Sequence, residues 1–188
     1  MDNSFRVGLA TLVFLAILCG CQGQPPEEQS QEQIEVTLQI ESDAFVAEGT
    51  IPHQYTCDGE DLSPPLSWSE PPAGTQSLAL VCVDPDAPAG TWDHWVLFNI
   101  PAGTRSLPEG ISADPVVEGL STHGSNSWRR LGYGGPCPPQ GAAHRYIFKL
   151  YALDTTLELD PGASRKDLEK VMQGHILAEG QLLGNYGR

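Results

Sequence analysis

The chain has 188 residues, enough for one domain with a real core plus a tail. Twenty-four acidic residues against ten basic ones give a formal net charge of −14, which makes nucleic acid and anionic membrane surfaces poor partners. The charge is spread along the chain rather than blocked, as expected of a solvated surface.

Residues 1–21 read as a segment outside the fold. Val7 to Leu18 is continuously apolar, follows Arg6 and is too short to span a membrane comfortably, as in an export signal. It ends in Leu18-Cys19-Gly20-Cys21, which resembles a bacterial lipoprotein box with Cys21 as the lipidated mature N-terminus. Acyl chains on one cysteine anchor a protein at a membrane. Gln22 rather than Asp follows the cysteine, so in a host with two membranes the expected address is the outer membrane, facing the periplasm. Residues 22–35 contain one apolar residue, Ile34, and cannot offset the entropy of ordering, so they read as a tether. The folded domain is expected over 36–188.

Val36 to Ile40 alternates apolar and polar residues, the pattern of a strand with one wet face. A loop rich in Gly, Pro and Asp covers 49–65 and leads into a short strand over Leu66 to Ser69. The central stretch runs from Leu78 to Ile100, with two apolar runs flanking a turn. At strand periodicity Leu78, Leu80, Cys82 and Asp84 share one face, and Trp92, His94, Val96, Phe98 and Ile100 share another. Neighbouring strands would bring a carboxylate and an imidazole together at the rim of the core, which suggests a small-ligand pocket.

After Ile100 a long irregular region reaches Gly141, and a loop of that length is usually functional. Its glycines around Tyr133 allow positive φ and close backbone approach to a ligand. His144 to Asp154 is a second strong strand with His144, Tyr146, Phe148 and Leu150 on one face, and Thr156 to Leu159 offers a short further one. Ser164 to Gly174 reads as the one clear helix, capped by Ser164, striped by Leu168, Val171 and Met172, and ended by Gly174. Ile176 to Tyr186 closes the chain as a strand. Many short strands with one helix point to a mainly β sandwich.

Beyond Cys21 three cysteines remain, so at least one is unpaired. Cys82 sits among apolar strand residues and reads as a buried free thiol. Cys57 and Cys137 lie in loops, and export permits the disulfide expected between them.

Four motifs together resemble the phosphatidylethanolamine-binding protein family: DPDAP at 84–88, the DHW before VLFNIP, GGPCPP at 134–139 and HRYIFKLYALD at 144–154. The similarity runs from about Phe45 to Arg188. YTCDGEDLSPPLSW, GHILAEG and the ending NYGR place it nearer the bacterial, Raf-kinase-inhibitor-like branch. The resemblance implies an antiparallel β-sandwich with short peripheral helices and a pocket for phosphate-type anions such as a phosphoethanolamine headgroup. By motif position Asp84, His94, Cys137, Pro138, Pro139, His144 and Tyr146 would line it. Donors from the imidazoles, the Tyr146 hydroxyl and loop amides suit such an anion, while Asp84 would orient a histidine, hold the turn or meet a ligand ammonium. Asp93 stands where the animal branch carries a histidine, and the C-terminal segment differs from the animal helix that covers the site.

The leading expectation is therefore a non-catalytic binding module that needs no cofactor or metal and takes a small anionic or phosphorylated ligand. A second reading is an inhibitor or regulatory partner of a serine protease or kinase, inserting a loop from 102–141. A hydrolase built on Asp84, His94 and His144 ranks third, because neither GxSxG nor HExxH occurs. His53, His123 and His175 read as structural or surface residues. Trp68, Trp92, Trp95 and Trp128 read as core or pocket walls.

Overall fold

The computed structural model describes residues 37–188. The expected signal segment, Cys21, the tether and Val36 lie outside the described residues. Within them, two antiparallel sheets form the sandwich. The larger has six strands in the order β6-β7-β4-β3-β8-β9: Val116–Val117, Ser121–His123, Trp92–Pro101, Ser77–Asp84, His144–Leu153 and Ile176–Tyr186. The smaller has the order β1-β2-β5: Ile40–Glu41, Leu66–Trp68 and Ser106–Leu107.

All eight residues of β3 are buried, which its near-continuous apolar sequence requires of a strand covered on both faces. One face carries Leu78, Leu80 and Cys82 into a core shared with Trp95, Leu97, Phe148 and Leu150 of the large sheet and with Ile40, Leu66, Trp68 and Leu107 of the small one. The other face, with Ala79, Val81 and Val83, packs with Val96, Phe98, Leu168 and Met172 beneath α1 (Arg165–Met172). Ser164 caps α1 by accepting from the Asp167 backbone N–H, and Asp167 accepts in return from the Ser164 N–H. Cys82 is a buried free thiol.

The region expected to be irregular from Ile100 to Gly141 carries β5, β6 and β7. Three further stretches differ from the expected pattern. The face assigned to Trp92, His94, Val96, Phe98 and Ile100 is broken twice, because β4 slips in register against β3 between Cys82 and Val83 and between Leu78 and Leu80. Cys82 pairs with Trp95 and Val83 with Asp93, so His94 is the extra residue of a β-bulge. The second slip falls at Asn99, whose φ is 55° and whose side chain holds both the N–H and the carbonyl of Leu157. Val96 and Phe98 therefore face the helix while Trp95, Leu97 and Ile100 face the other sheet. The first strand is the second difference. It is reduced to β1 at 40–41, with Thr37 forming a single parallel bridge to Glu179 on the β9 edge. Thr156 to Leu159 forms no strand, since Leu157 bonds to the Asn99 side chain instead of to a neighbouring strand.

Cys57 and Cys137 are joined by a disulfide across 80 residues of sequence, and the Cys57 N–H also donates to the Pro136 carbonyl at 3.1 Å. Closing a loop of that length restricts the unfolded chain far more than the folded one. Replacing both cysteines with Ser should lower the unfolding free energy by about 2–4 kcal/mol. Urea denaturation monitored by Trp fluorescence would read this, and an unchanged midpoint would show that the loops are held by their hydrogen bonds alone.

Candidate functional site

The end of β3, the bulge of β4, the start of β8 and the loop around Cys137 meet at one rim of the sandwich. There they form a cleft of about 270 Å³ lined by Asp84, Ala87, Pro88, Ala89, Trp92, His94, Trp128, Cys137, Pro138, Pro139 and His144. Strand alternation brings Asp84 and His144 there, at the polar ends of otherwise apolar faces. Asp84 is only 3% exposed, yet both its oxygens are satisfied. Oδ1 accepts from the Asp86 N–H at 2.8 Å, closing the DPDAP turn, and Oδ2 accepts from His144 Nδ1–H at 2.8 Å. One carboxylate thus holds the turn and orients an imidazole.

Asp86 fastens the same turn to β8. Its carboxylate takes both Nε and an NH2 group of Arg145, at 2.9 and 2.7 Å, and the Arg145 backbone N–H at 3.0 Å. The Arg145 side chain and backbone amide hold the Asp86 carboxyl down at about 2. Arg145 is thereby committed, and among the described residues no Lys or Arg lines the cleft.

His94 is 2% exposed and held in place by packing and by backbone. Its ring meets Trp128 edge-on at 5.0 Å and Tyr146 at 5.1 Å. Nδ1–H donates to the Gly134 carbonyl at 2.6 Å, while the Gly134 N–H donates to the His94 carbonyl at 3.0 Å. Burial pushes the His94 imidazole below its ordinary 6.5, and the Gly134 carbonyl, Asp84 and Asp61 only partly oppose this.

The loop glycines serve protein contacts. A Cβ on Gly134 would sit 2.7 Å from the Trp128 ring, and one on Gly135 would sit 2.5 Å from the Tyr55 carbonyl oxygen. The Gly135 N–H donates to Asp61 at 2.6 Å. Close approach is thus required at Gly134 and Gly135, to an aromatic wall and to a neighbouring loop.

Of the residues expected at the site, Asp84, His94, Cys137, Pro138, Pro139 and His144 come together in the cleft. Tyr146 is a correction. Two residues further along β8 than His144, it is drawn fully into the core beneath His94 and does not line the cleft. Among the described residues its hydroxyl has no hydrogen-bond partner, and burial, with Asp84 and Cys82 adding, pushes the phenol far above its ordinary value.

Trp92 and Trp128 stand in the cleft wall, in keeping with their reading as core or pocket walls, and Ala87, Pro88 and Ala89 join them without a signal of their own. The last three lie in or beside the DPDAP turn, and Trp92 precedes His94 by two. Trp128 lies in irregular chain with no periodic signal. Asp93 points away from the cleft and accepts from Arg165 Nε at 2.5 Å, so the residue that differs from the animal branch supports α1. His123 is structural, donating from Nδ1 to the Asp114 carbonyl at 2.8 Å and accepting from Trp95 Nε1–H at 3.1 Å. A larger depression of about 440 Å³ runs along β9 between Thr37, Lys149 and 176–181. It gathers only Lys149 and Glu179 as titratable groups, so convergent chemistry favours the smaller cleft.

A two-sheet antiparallel sandwich with a Pro- and Trp-walled cleft at the ends of its central strands is a recognisable class of small β domain. The chain belongs to the phosphatidylethanolamine-binding protein family, whose model matches residues 41–187. A UPF0098 protein of Methanothermobacter thermautotrophicus is 50% identical over 151 residues, covering 80% of this chain and 99% of its own length. The UPF0098 protein PH1269 of Pyrococcus horikoshii is 45% identical and covers 100% of this chain and 91% of its own. Among solved structures, a putative phosphatidylethanolamine-binding protein homolog from Chlamydia trachomatis superposes with a TM-score of 0.74 at 37% identity, covering 81% of this chain and 98% of its own. YbcL of E. coli, described as a new member of the mammalian family, gives 0.76 at 30%, covering 81% and 99%.

Gly134→Ala should force the Trp128 wall to move, at a cost of about 1–3 kcal/mol. Trp fluorescence and urea unfolding would register this; unaltered values would mean that the wall yields freely. A second expectation concerns pH. Burial lowers both His94 and His123 below 6.5 in the folded state. The unfolded chain then binds the extra protons first, so the stability these groups contribute is complete above 6.5 and is lost as pH falls through their folded values. The urea midpoint should therefore drop between about pH 7.5 and about pH 5.5, and drop less in His123→Gln. An equal drop in the variant would remove His123 from the account.

Proposed function

We propose that this domain is a non-catalytic binding module for small phosphate-type anions, of which a phosphoethanolamine headgroup is an example. The observation that carries this reading is the matched setting of the two cleft imidazoles. His94 Nδ1 is committed to the Gly134 carbonyl and His144 Nδ1 to Asp84, so each ring offers its Nε2 to a shared, largely apolar cleft. A partly dry site with fixed polar groups recognises phosphate oxygens through directed hydrogen bonds rather than through net charge. Family membership supports the same ligand class. A binding role is favoured over hydrolysis through a covalent intermediate because, among the described residues, the lining offers no hydroxyl or free thiol, Cys137 being in its disulfide. Both Asp84 oxygens are likewise engaged within the protein.

Export and a lipid anchor on Cys21, facing the periplasm where the host has an outer membrane, complete the proposal. They are supported by the apolar segment before the cysteine and by a disulfide between two solvent-exposed residues, Cys57 and Cys137. Labelled palmitate incorporated into the wild type and not into Cys21→Ser would be the expected result; equal labelling would overturn the anchor.

The binding reading is tested by NMR titration of residues 36–188 with phosphate and with phosphoethanolamine, following the histidine rings. Saturable shifts at His94 and His144, abolished in His94→Ala, are expected. No shift at millimolar ligand would reject the site.

A further inference from the structure

Resting on the phosphate reading of the cleft, we propose that the site takes up a phosphomonoester together with a proton, and so favours monoesters over phosphodiesters bearing the same amine. The Gly134 carbonyl sets this preference through His94. A carbonyl oxygen only accepts, so the 2.6 Å contact places the hydrogen of a neutral His94 on Nδ1. Nε2, the nitrogen left for a ligand, then carries a lone pair. Turning the ring over would put a C–H against the carbonyl, and the edge-on contacts to Trp128 and Tyr146 hold the ring plane between them.

A lone pair facing a phosphoryl oxygen is repulsive unless a proton lies between them. A monoester can bring that proton as its own P–OH, since its second ionisation lies near pKa ~6. The ligand oxygen then donates to Nε2 and the imidazole stays neutral. Alternatively Nε2 takes the proton and donates to the dianion. Either way the bound state holds one proton more than a free dianion and a neutral ring. A phosphodiester has no second proton, so only an imidazolium can meet it.

The surroundings make that imidazolium costly. Burial lowers the His94 pKa from 6.5, as described above. The groups facing the ring are Asp84 from β3, His144 and Tyr146 from β8, the Gly134 and Gly135 backbone from the Cys137 loop, and Asp61 from the loop that holds Gly135. Asp84 is spent on His144 and the Asp86 N–H, and Asp61 on the Gly135 N–H, so neither hydrogen-bonds to His94. His144 likewise leaves only Nε2 for the cleft, because the Asp84 carboxylate takes its Nδ1–H.

The test is calorimetry of the purified wild-type protein at about pH 8, where a monoester is mainly dianionic. Phosphoethanolamine and glycerophosphoethanolamine, which share the ammonium and differ in the second ester, are titrated in buffers of different ionisation enthalpy. The monoester should bind with uptake of about one proton or more and weaken about tenfold per pH unit. The diester should bind at least about tenfold more weakly. Monoester binding without proton uptake, or equal affinity for the two ligands, would overturn the proposal while leaving the phosphate site standing. No heat and no histidine shift with either ligand would instead remove the phosphate reading and this inference with it.

His94→Gln supplies an amide N–H that does not titrate. It should reduce the proton uptake by about one and narrow the preference between esters. An uptake unchanged in that variant would place the proton elsewhere and overturn the role of His94. Should the variant not fold, nitrogen-15 spectra of the wild-type ring decide: the Nδ1–H tautomer is expected, and the Nε2–H tautomer would overturn the proposal.

Discussion

The buried Asp84 carboxylate is the interaction on which the cleft depends. A carboxylate 3% exposed survives in a folded protein only when its oxygens are met by donors. The chain meets both, one with the backbone of the following turn and the other with an imidazole from a different strand. Shape at this rim therefore follows from electrostatic need. The turn cannot open without stranding one oxygen, and β8 cannot shift along the sheet without stranding the other. Asp86 and Arg145 repeat the link on the wet side of the same turn, where solvent screening makes it worth less.

Much of this was legible in the sequence because the informative strands alternate cleanly. In β3 and β8 the period of two carries a polar residue at the end of an apolar face to the rim. Sequence spacing therefore placed Asp84 and His144 correctly before any distance was known. It failed in β4. A bulge adds one residue without any mark in composition, so the pattern from Trp92 to Ile100 reads as one continuous face when it is three short ones. His94 still reached the cleft, but as the bulge itself. Tyr146 was misplaced for the opposite reason: alternation gives the face of a strand and not the depth, and two residues separate the rim from the core. Trp128 leaves no periodic trace, although Gly134, whose missing Cβ admits its ring, belongs to the GGPCPP motif.

On the proposed reading, an acidic protein would present a site for anions. With a net charge of −14 the chain repels anions at long range, and no cation among the described residues lines the cleft. Selectivity there would come from short contacts in a sheltered place, where the fixed imidazoles act at lower effective dielectric than in bulk water. Added salt screens the long-range repulsion much more than those contacts. Trp92, Trp128 and the prolines wall the cleft with apolar surface and so limit water there.

The disulfide between Cys57 and Cys137 encloses β2 to β7 in a covalent ring that leaves β8, α1 and β9 outside. Asp84 and His94 lie within the ring and His144 beyond it. The stretch from 102 to 136, whose only strands are the short β5, β6 and β7, is part of the ring, so a protease that cuts there opens the circle without separating the two pieces. The fragment bearing Asp84 and His94 remains tied through Cys57 to the fragment bearing Cys137, Pro138, Pro139 and His144. That stretch can thus be nicked while every polar residue of the cleft stays in one covalent molecule.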